Sequence, residues 1–251
     1  MLTPPEIARS LLAAGESKAR LPFGKMLLLA ILAGAYIALA GAVTVESGSL
    51  AKLLSACVFP AGLSMVILAG SELFTGNCLM VMALLERRIT PAQLLRNWLT
   101  VYLGNAMGGA AVAALAVYSH TASLFGDGLA RSMVSIAESK AALGAGDAFL
   151  RGVLCNFLVC LAVWMAAASK RAEGKVIALF FPILLFVLCG YEHCIANLYY
   201  LPAGAFAAAE YGMETTLTLA GCLKNLAAVT LGNLVGGAAL GVGYRFAYLK
   251  E

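Results

Sequence analysis

The sequence predicts an all-α integral membrane protein of six transmembrane helices, arranged as two inverted repeats of three helices each. Composition is the first observation: hydrophobic residues make up 62% of 251 residues and charged residues 12%, with a mean hydropathy of +0.90. Soluble domains are about half apolar and a quarter charged. The second observation is a series of apolar stretches that each reach the roughly 20 residues needed to cross a bilayer. The third is a pair of motifs that recurs in both halves. We expect one transmembrane domain covering residues 1–251.

The predicted spans lie between charged residues, near 26–45, 53–85, 96–118, 148–168, 176–209 and 217–248. The second and fifth exceed 30 residues, and each is interrupted by a glycine with a glutamate two positions later, at Gly70 and at Gly190. We therefore predict that spans 2 and 5 are broken helices. Lys and Arg number 12 on the side that holds both termini and 5 on the other side. This bias predicts cytoplasmic N- and C-termini.

Two motifs recur in the same order. G-x-E-x-x-x-x-N occurs at 70–77 and 190–197, and L-G-N-x-x-G-G-A occurs at 103–110 and 231–238. The halves are thus spans 1–3, about 20–118, and spans 4–6, about 148–248. Because three is odd, the second half enters the membrane from the opposite side, which makes the repeat inverted. Matched broken helices in inverted repeats indicate a transport site near the middle of the membrane.

His193 is the first candidate for that site, since it lies at the break of span 5. Ionisable groups inside membranes are costly and mark permeation routes, and histidine changes charge near neutral pH. An integral membrane enzyme that uses His193 or Cys194 as base or nucleophile is the alternative from a different class. Against it, no third orienting group stands at a recognisable spacing.

The glutamates of the two breaks, Glu72 and Glu192, allow two interpretations. They are either translocation carboxylates or caps that accept hydrogen bonds from free backbone N–H groups at a half-helix N-terminus. Capping is favoured, because an exposed carboxylate would repel an anion. The motifs end on Asn77 and Asn197, and the glycines supply the backbone freedom that a break requires.

Three further polar residues are candidates. The Thr75 hydroxyl can donate to an anion or to His193. Asn156 lies in an apolar span and either lines the path or bonds a neighbouring helix, and the sequence leaves both open. Lys140 has the pattern of a solvated loop lysine.

Composition also argues against other classes. Seven cysteines, an odd number without a CxxC pair, argue against disulfides and a thiolate metal site. Basic residues are scattered among loops rather than clustered, which argues against nucleic acid binding. We expect no metal and no cofactor.

At five ordered motifs the sequence resembles the formate–nitrite transporter family over roughly residues 20–250. They are GSELFTGN (70–77), YLGNAMGG (102–109), GVLCNFLVCLAVWMA (152–166), GYEHCIAN (190–197) and VTLGNLVGG (229–237). The resemblance implies an aquaporin-like homopentamer in the cell (inner) membrane, with one pore in each protomer.

The resemblance also assigns roles. His193 would be the central pore histidine, with Thr75, Asn156 and Glu192 along the substrate path and Lys140 drawing anions into the vestibule. Phe59 with Leu63 would form the cytoplasmic constriction, and Leu73 with Phe186 the outer one.

The function expected is a channel or transporter, not an enzyme, for small monovalent anions of weak acids in a lipid bilayer. Formate is the favoured substrate, and nitrite or hydrosulfide is the alternative. A bare anion loses hydration at great cost in an apolar constriction. We therefore expect the weak acid to take a proton and to cross as a neutral molecule, so that protons accompany the anion.

Overall fold

The computed structural model describes residues 1–42, 49–124 and 126–249, and for 49–51 only the backbone. The described residues form helices joined by short turns. The helices are α1 (Pro4–Ala19), α2 (Phe23–Gly41), α3 (Ser49–Val58), α4 (Pro60–Ala69), α5 (Phe74–Asn77), α6 (Val81–Leu85), α7 (Pro91–Tyr118), α8 (Gly128–Ala142), α9 (Ala145–Ala167), α10 (Ala172–Leu188), α11 (Cys194–Glu210) and α12 (Leu219–Tyr248).

Most predicted spans match long apolar helices. Within the described residues, five stretches are long and apolar enough to cross a membrane: Phe23–Gly41, Lys52–Ala69, Pro91–Tyr118, Ala145–Ala167 and Leu219–Tyr248. The fifth predicted span is divided between α10 and α11, which have 17 residues each. The end of the first predicted span, residues 43–45, lies outside the described residues.

The third span begins earlier than predicted. α7 starts at Pro91, where Thr90 and Gln93 form a capping box: the Thr90 hydroxyl accepts from the Gln93 N–H, and the Gln93 side chain accepts from the Thr90 N–H. Local cap chemistry therefore extends the helix by five residues beyond the apolar stretch predicted from 96.

The interruptions lie at the two repeated glycines. α4 ends at Ala69, and Gly70 adopts a left-handed conformation with φ of 75° before α5 begins at Phe74. α10 ends at Leu188, and Gly190 has φ of 69° before α11 begins at Cys194. A β-carbon is strained in this conformation, so the glycines allow each chain to leave the helix abruptly.

Two helices lie outside the predicted spans, α1 and α8. Each precedes the first span of its half, and α1 carries Lys18 whereas α8 carries Lys140, both in the last turn. The interpretation of Lys140 as a loop lysine is therefore wrong: the residue belongs to a helix, and its side chain is only 15% exposed. An amphipathic helix of 15 residues is too short and too polar to register in a search for spans.

Long helices pack in two matched pairs, α2 with α7 and α9 with α12. At both crossings the backbones touch. A β-carbon on Gly108 of α7 would overlap the Ile31 carbonyl of α2, and one on Gly236 of α12 would overlap the Val153 carbonyl of α9. The repeated G-G motif thus serves close helix packing.

Candidate functional site

The centre of each break is a buried glutamate bonded to a lysine. The Lys18 ammonium lies 2.8 Å from Glu72 Oε1, and the Lys140 ammonium lies 2.9 Å from Glu192 Oε1. Both glutamates are nearly inaccessible, at 5% and 6% exposure. Burial of a carboxylate is tolerated because a cation and further donors satisfy it.

An asparagine holds the second oxygen of each carboxylate. Asn77 Nδ2 donates to Glu72 Oε2 at 2.7 Å and to Asn97 Oδ1 at 2.9 Å. In the other half, Asn197 Nδ2 donates to Glu192 Oε2 at 2.7 Å and to Asn225 Oδ1 at 2.8 Å. The two networks therefore correspond bond for bond.

The asparagines of the two L-G-N motifs bind backbone groups at each break and on a neighbouring helix. Asn105 Oδ1 accepts from the Phe74 N–H at 3.0 Å, and Asn105 Nδ2 donates to the carbonyls of Ala30 and Glu72. Asn233 makes the equivalent three bonds, to the Cys194 N–H and to the carbonyls of Gly152 and Glu192.

These contacts correct the capping role expected of the glutamates. Asn105 and Asn233 satisfy the first N–H groups of α5 and α11, while lysine and asparagine side chains hold Glu72 and Glu192. The physical reason is position: each glutamate lies before the residue at the helix N-cap, and its carboxylate is directed at the lysine.

His193 is itself the N-cap residue of α11, with 3% exposure. Its Nδ1 accepts from the Ala196 N–H at 3.1 Å, so in this arrangement Nδ1 carries no proton. Neutral imidazole then has its proton on Nε2, which lies 3.1 Å from Thr75 Oγ1 and donates to it. The Phe186 ring stacks on the imidazole at 5.8 Å between centroids.

Asn156 is hydrogen-bonded to the backbone of Thr75. It is fully buried, and Nδ2 donates to the Thr75 carbonyl at 3.2 Å and to the Asn233 carbonyl at 2.7 Å. Of the two interpretations of Asn156, bonding to neighbouring segments accounts for its amide hydrogens.

The Cys194 thiol is not paired with His193. Both ring nitrogens of His193 are occupied, by the Ala196 N–H and by Thr75. Cys194 is fully buried. This geometry does not form the nucleophile and base of the enzyme alternative.

Two cavities approach this centre: His193 lines one, and Leu73 and Gly76, which flank Thr75 in the chain, line the other. The Lys18 cavity, of about 370 Å³, is lined by α1 and by Leu63, Leu73 and Glu72. The Lys140 cavity, of about 520 Å³, is lined by Phe59, Phe186, Glu192 and His193. The pairs expected from the resemblance were Phe59 with Leu63 and Leu73 with Phe186. In the structure Leu63 and Leu73 line one cavity, and Phe59 and Phe186 line the other. The rings of Phe59 and Phe186 meet edge to face, with centroids 5.5 Å apart.

Sequence reasoning missed Lys18, Asn97 and Asn225 as site residues. Two signals could have identified them. Asn97 and Asn225 each stand eight positions before the asparagine of their L-G-N motif. Lys18 precedes Glu72 by 54 residues, and Lys140 precedes Glu192 by 52. The correspondence between the halves thus begins at α1 and at α8, before the boundaries near 20 and 148.

Comparison with known proteins agrees with this arrangement. A "Probable formate transporter" of Methanothermobacter thermautotrophicus is 38% identical, over 99% of this chain and 98% of its own. The "Formate channel FocA" of Haemophilus influenzae is 38% identical, over 86% of this chain and 84% of its own.

Two solved structures are also similar. An "FNT family ion channel" has a TM-score of 0.86 at 32% identity and covers 96% of this chain and 98% of its own. A "Pentameric formate channel with formate bound" has a TM-score of 0.79 at 32% identity, over 91% and 98%. The sequence pattern of the formate/nitrite transporter family matches residues 5–247. These similarities, together with the five long apolar stretches, make the chain a multi-pass membrane protein that belongs to the formate/nitrite transporter family.

Proposed function

We propose that this protein is a channel for small monovalent anions of weak acids, with formate as its substrate. The observation that carries the proposal is the pair of cavities, each with a lysine–glutamate pair. One is lined by His193 and the other by Gly76 next to Thr75, and Thr75 is hydrogen-bonded to His193. The substrate path runs from Lys140 and Glu192 past His193 and Thr75 to Glu72. Asn156 braces it, and Phe59, Phe186, Leu63 and Leu73 form its constrictions.

The proposed assembly is a homopentamer in the cell membrane, with six spans per protomer in two inverted repeats and with cytoplasmic termini. Support comes from the bond-for-bond equivalence of the two breaks and from the pentameric formate channel to which this chain is similar. In this arrangement the Lys18 cavity opens to the cytoplasm and the Lys140 cavity to the outside.

Protons accompany the anion in this proposal because four apolar side chains form the constrictions. A neutral acid crosses such a region at far lower cost than an ion. We assign the proton source to water in the cavities. Protonation of His193 at Nδ1 would break its hydrogen bond with the Ala196 N–H. His193 therefore acts as a fixed hydrogen-bond donor through Nε2.

Proteoliposome flux tests this function. Formate, nitrite, hydrosulfide and acetate gradients are imposed separately, and external pH is followed with protein-free liposomes as control. We expect formate uptake that rises as external pH falls and that makes the outer solution more alkaline. Absence of formate flux would refute the function, and faster nitrite or hydrosulfide flux would reassign the substrate.

A matched pair of variants tests the path. Phe186→Trp enlarges a buried side chain that lines the Lys140 cavity, whereas Phe181→Trp makes the same change on the same helix at a residue that is 61% exposed. We expect the first to reduce formate flux severalfold and the second to leave it unchanged. Equal rates would remove Phe186 from the path.

A further inference from the structure

The Lys140 cavity carries more positive charge than the Lys18 cavity. Three basic residues line it, Lys52, Lys140 and Arg151, together with a single acidic residue, Glu192. Among the residues that the structure describes, the charged residues that line the Lys18 cavity are Lys18 and Glu72. Within the described residues the formal charges of the two linings are therefore +2 and 0.

Lys140 does not supply this difference. Its ammonium is 2.9 Å from Glu192 Oε1, and the two side chains are 15% and 8% exposed. A lysine and a carboxylate in contact act on a distant ion as a dipole, and the attraction of one is largely cancelled by the repulsion of the other. The role in anion attraction that the family resemblance gives to Lys140 is therefore weakened by its own partner.

Lys52 and Arg151 supply the uncompensated charge. Both are exposed, and among the described residues neither has a carboxylate within 4.0 Å. Lys52 reaches the break itself, because a β-carbon placed on Gly190 would lie 3.9 Å from the Lys52 ammonium. Arg151 adjoins the break on the other side, where its carbonyl accepts from the Glu192 N–H at 3.3 Å.

We propose that Lys52 and Arg151 form the site that collects the anion at this mouth, a weak electrostatic site for a small monovalent anion such as formate. Lys140 instead holds Glu192 in place. The proposal rests on the function proposed above. Charges on an exposed rim act over about 10 Å at 0.1 M salt and over about 3 Å at 1 M, so the site works mainly at low ionic strength.

The test measures formate uptake into proteoliposomes against formate concentration, at low and at high ionic strength. Lys52→Gln and Arg151→Gln remove one charge each, and Lys52→Arg and Arg151→Lys keep it. Lys224→Gln is the matched control, because Lys224 is an exposed basic residue that lines a different cavity.

At low salt we expect each Gln variant to raise the half-saturating formate concentration about two- to threefold and the double variant about four- to ninefold. The charge-conserving variants and Lys224→Gln should behave as wild type. High salt should abolish the differences.

Two results would overturn the proposal: wild-type saturation in the double Gln variant, or an equal effect of Lys224→Gln. If a Gln variant fails to assemble, the test is made on the wild-type protein by measuring its half-saturating formate concentration at several ionic strengths. A concentration that does not change with ionic strength excludes an electrostatic site. Absence of any formate flux in the wild type would instead refute the channel function.

Discussion

Replacement of Asn233 by alanine should destabilise the protein strongly. Asn233 is the only partner that the structure gives, within its described part, for two buried backbone groups, the Cys194 N–H and the Glu192 carbonyl. An orphaned buried group costs about 1–3 kcal/mol, so the two together cost about 2–6 kcal/mol. The third bond, to the Gly152 carbonyl, is left out of this sum because that carbonyl lies inside a helix.

The matched control is Val229→Ala, one turn earlier on α12 and equally buried, which leaves a cavity without orphaning a polar group. The other half offers the same comparison, Asn105→Ala against Val101→Ala. The free energy of unfolding is measured by titrating detergent-solubilised protein with SDS and following helical circular dichroism.

We expect each Asn variant to lose about 2–6 kcal/mol more than its Val control, with similar losses in the two halves. An excess below about 1 kcal/mol would match an ordinary hydrogen bond between membrane helices. Such a result would refute the view that these asparagines secure the breaks. A large effect in only one half would refute the equivalence of the two networks.

Three further predictions concern single features. Gly236→Ala should greatly lower the yield of folded protein while Gly243→Ala does not, because only at Gly236 would the added carbon meet the Val153 carbonyl. The protein has two histidines, and nitrogen NMR of histidine-labelled protein should show that His193 is neutral, with its proton on Nε2, from pH 8 to pH 5. An imidazolium signal from His193 at pH 6 would contradict this assignment. Hydrogen bonds from the Thr216 N–H and the Thr215 hydroxyl lower the pKa of Glu138. The stabilisation that Glu138 contributes is thus complete above the ordinary glutamate pKa near 4.3 and is lost as pH falls through the lower pKa of the folded protein. The Thr216 amide should therefore lose its protection against hydrogen exchange only below the ordinary glutamate pKa, and Glu138→Ala should remove that transition.

Local pattern was enough to predict most of the fold. The long spans follow from hydropathy, and the breaks follow from Gly70 and Gly190, which the structure places in a left-handed conformation. The start of α7 was missed because it depends on the cap at Thr90, whereas the predicted end at 118 is correct. α1 and α8 were missed because amphipathic helices of 16 and 15 residues have no long apolar run.

The site was predicted less completely than the fold. His193 and Thr75 were expected near one another, and they are hydrogen-bonded. The partners of the glutamates were not foreseen, since Lys18 is 54 residues from Glu72 and no local pattern joins them. Roles that depend on passage of an anion, at Lys140, Glu192 and the four apolar residues, stay predictions that flux measurements will test.

The duplicated network has a consequence for the polarity of the molecule. Because the two networks are built from the same bonds, the networks themselves do not distinguish one end of the path from the other. Any such difference arises from positions at which the two copies have different residues. Next to each glutamate, one copy has Leu73 and the other His193, and Thr75 faces that histidine where the second copy has Ile195. Exchange of residues at these positions would therefore transfer the histidine and its threonine partner to the opposite copies of the network, with the lysine, glutamate and asparagine bonds left intact.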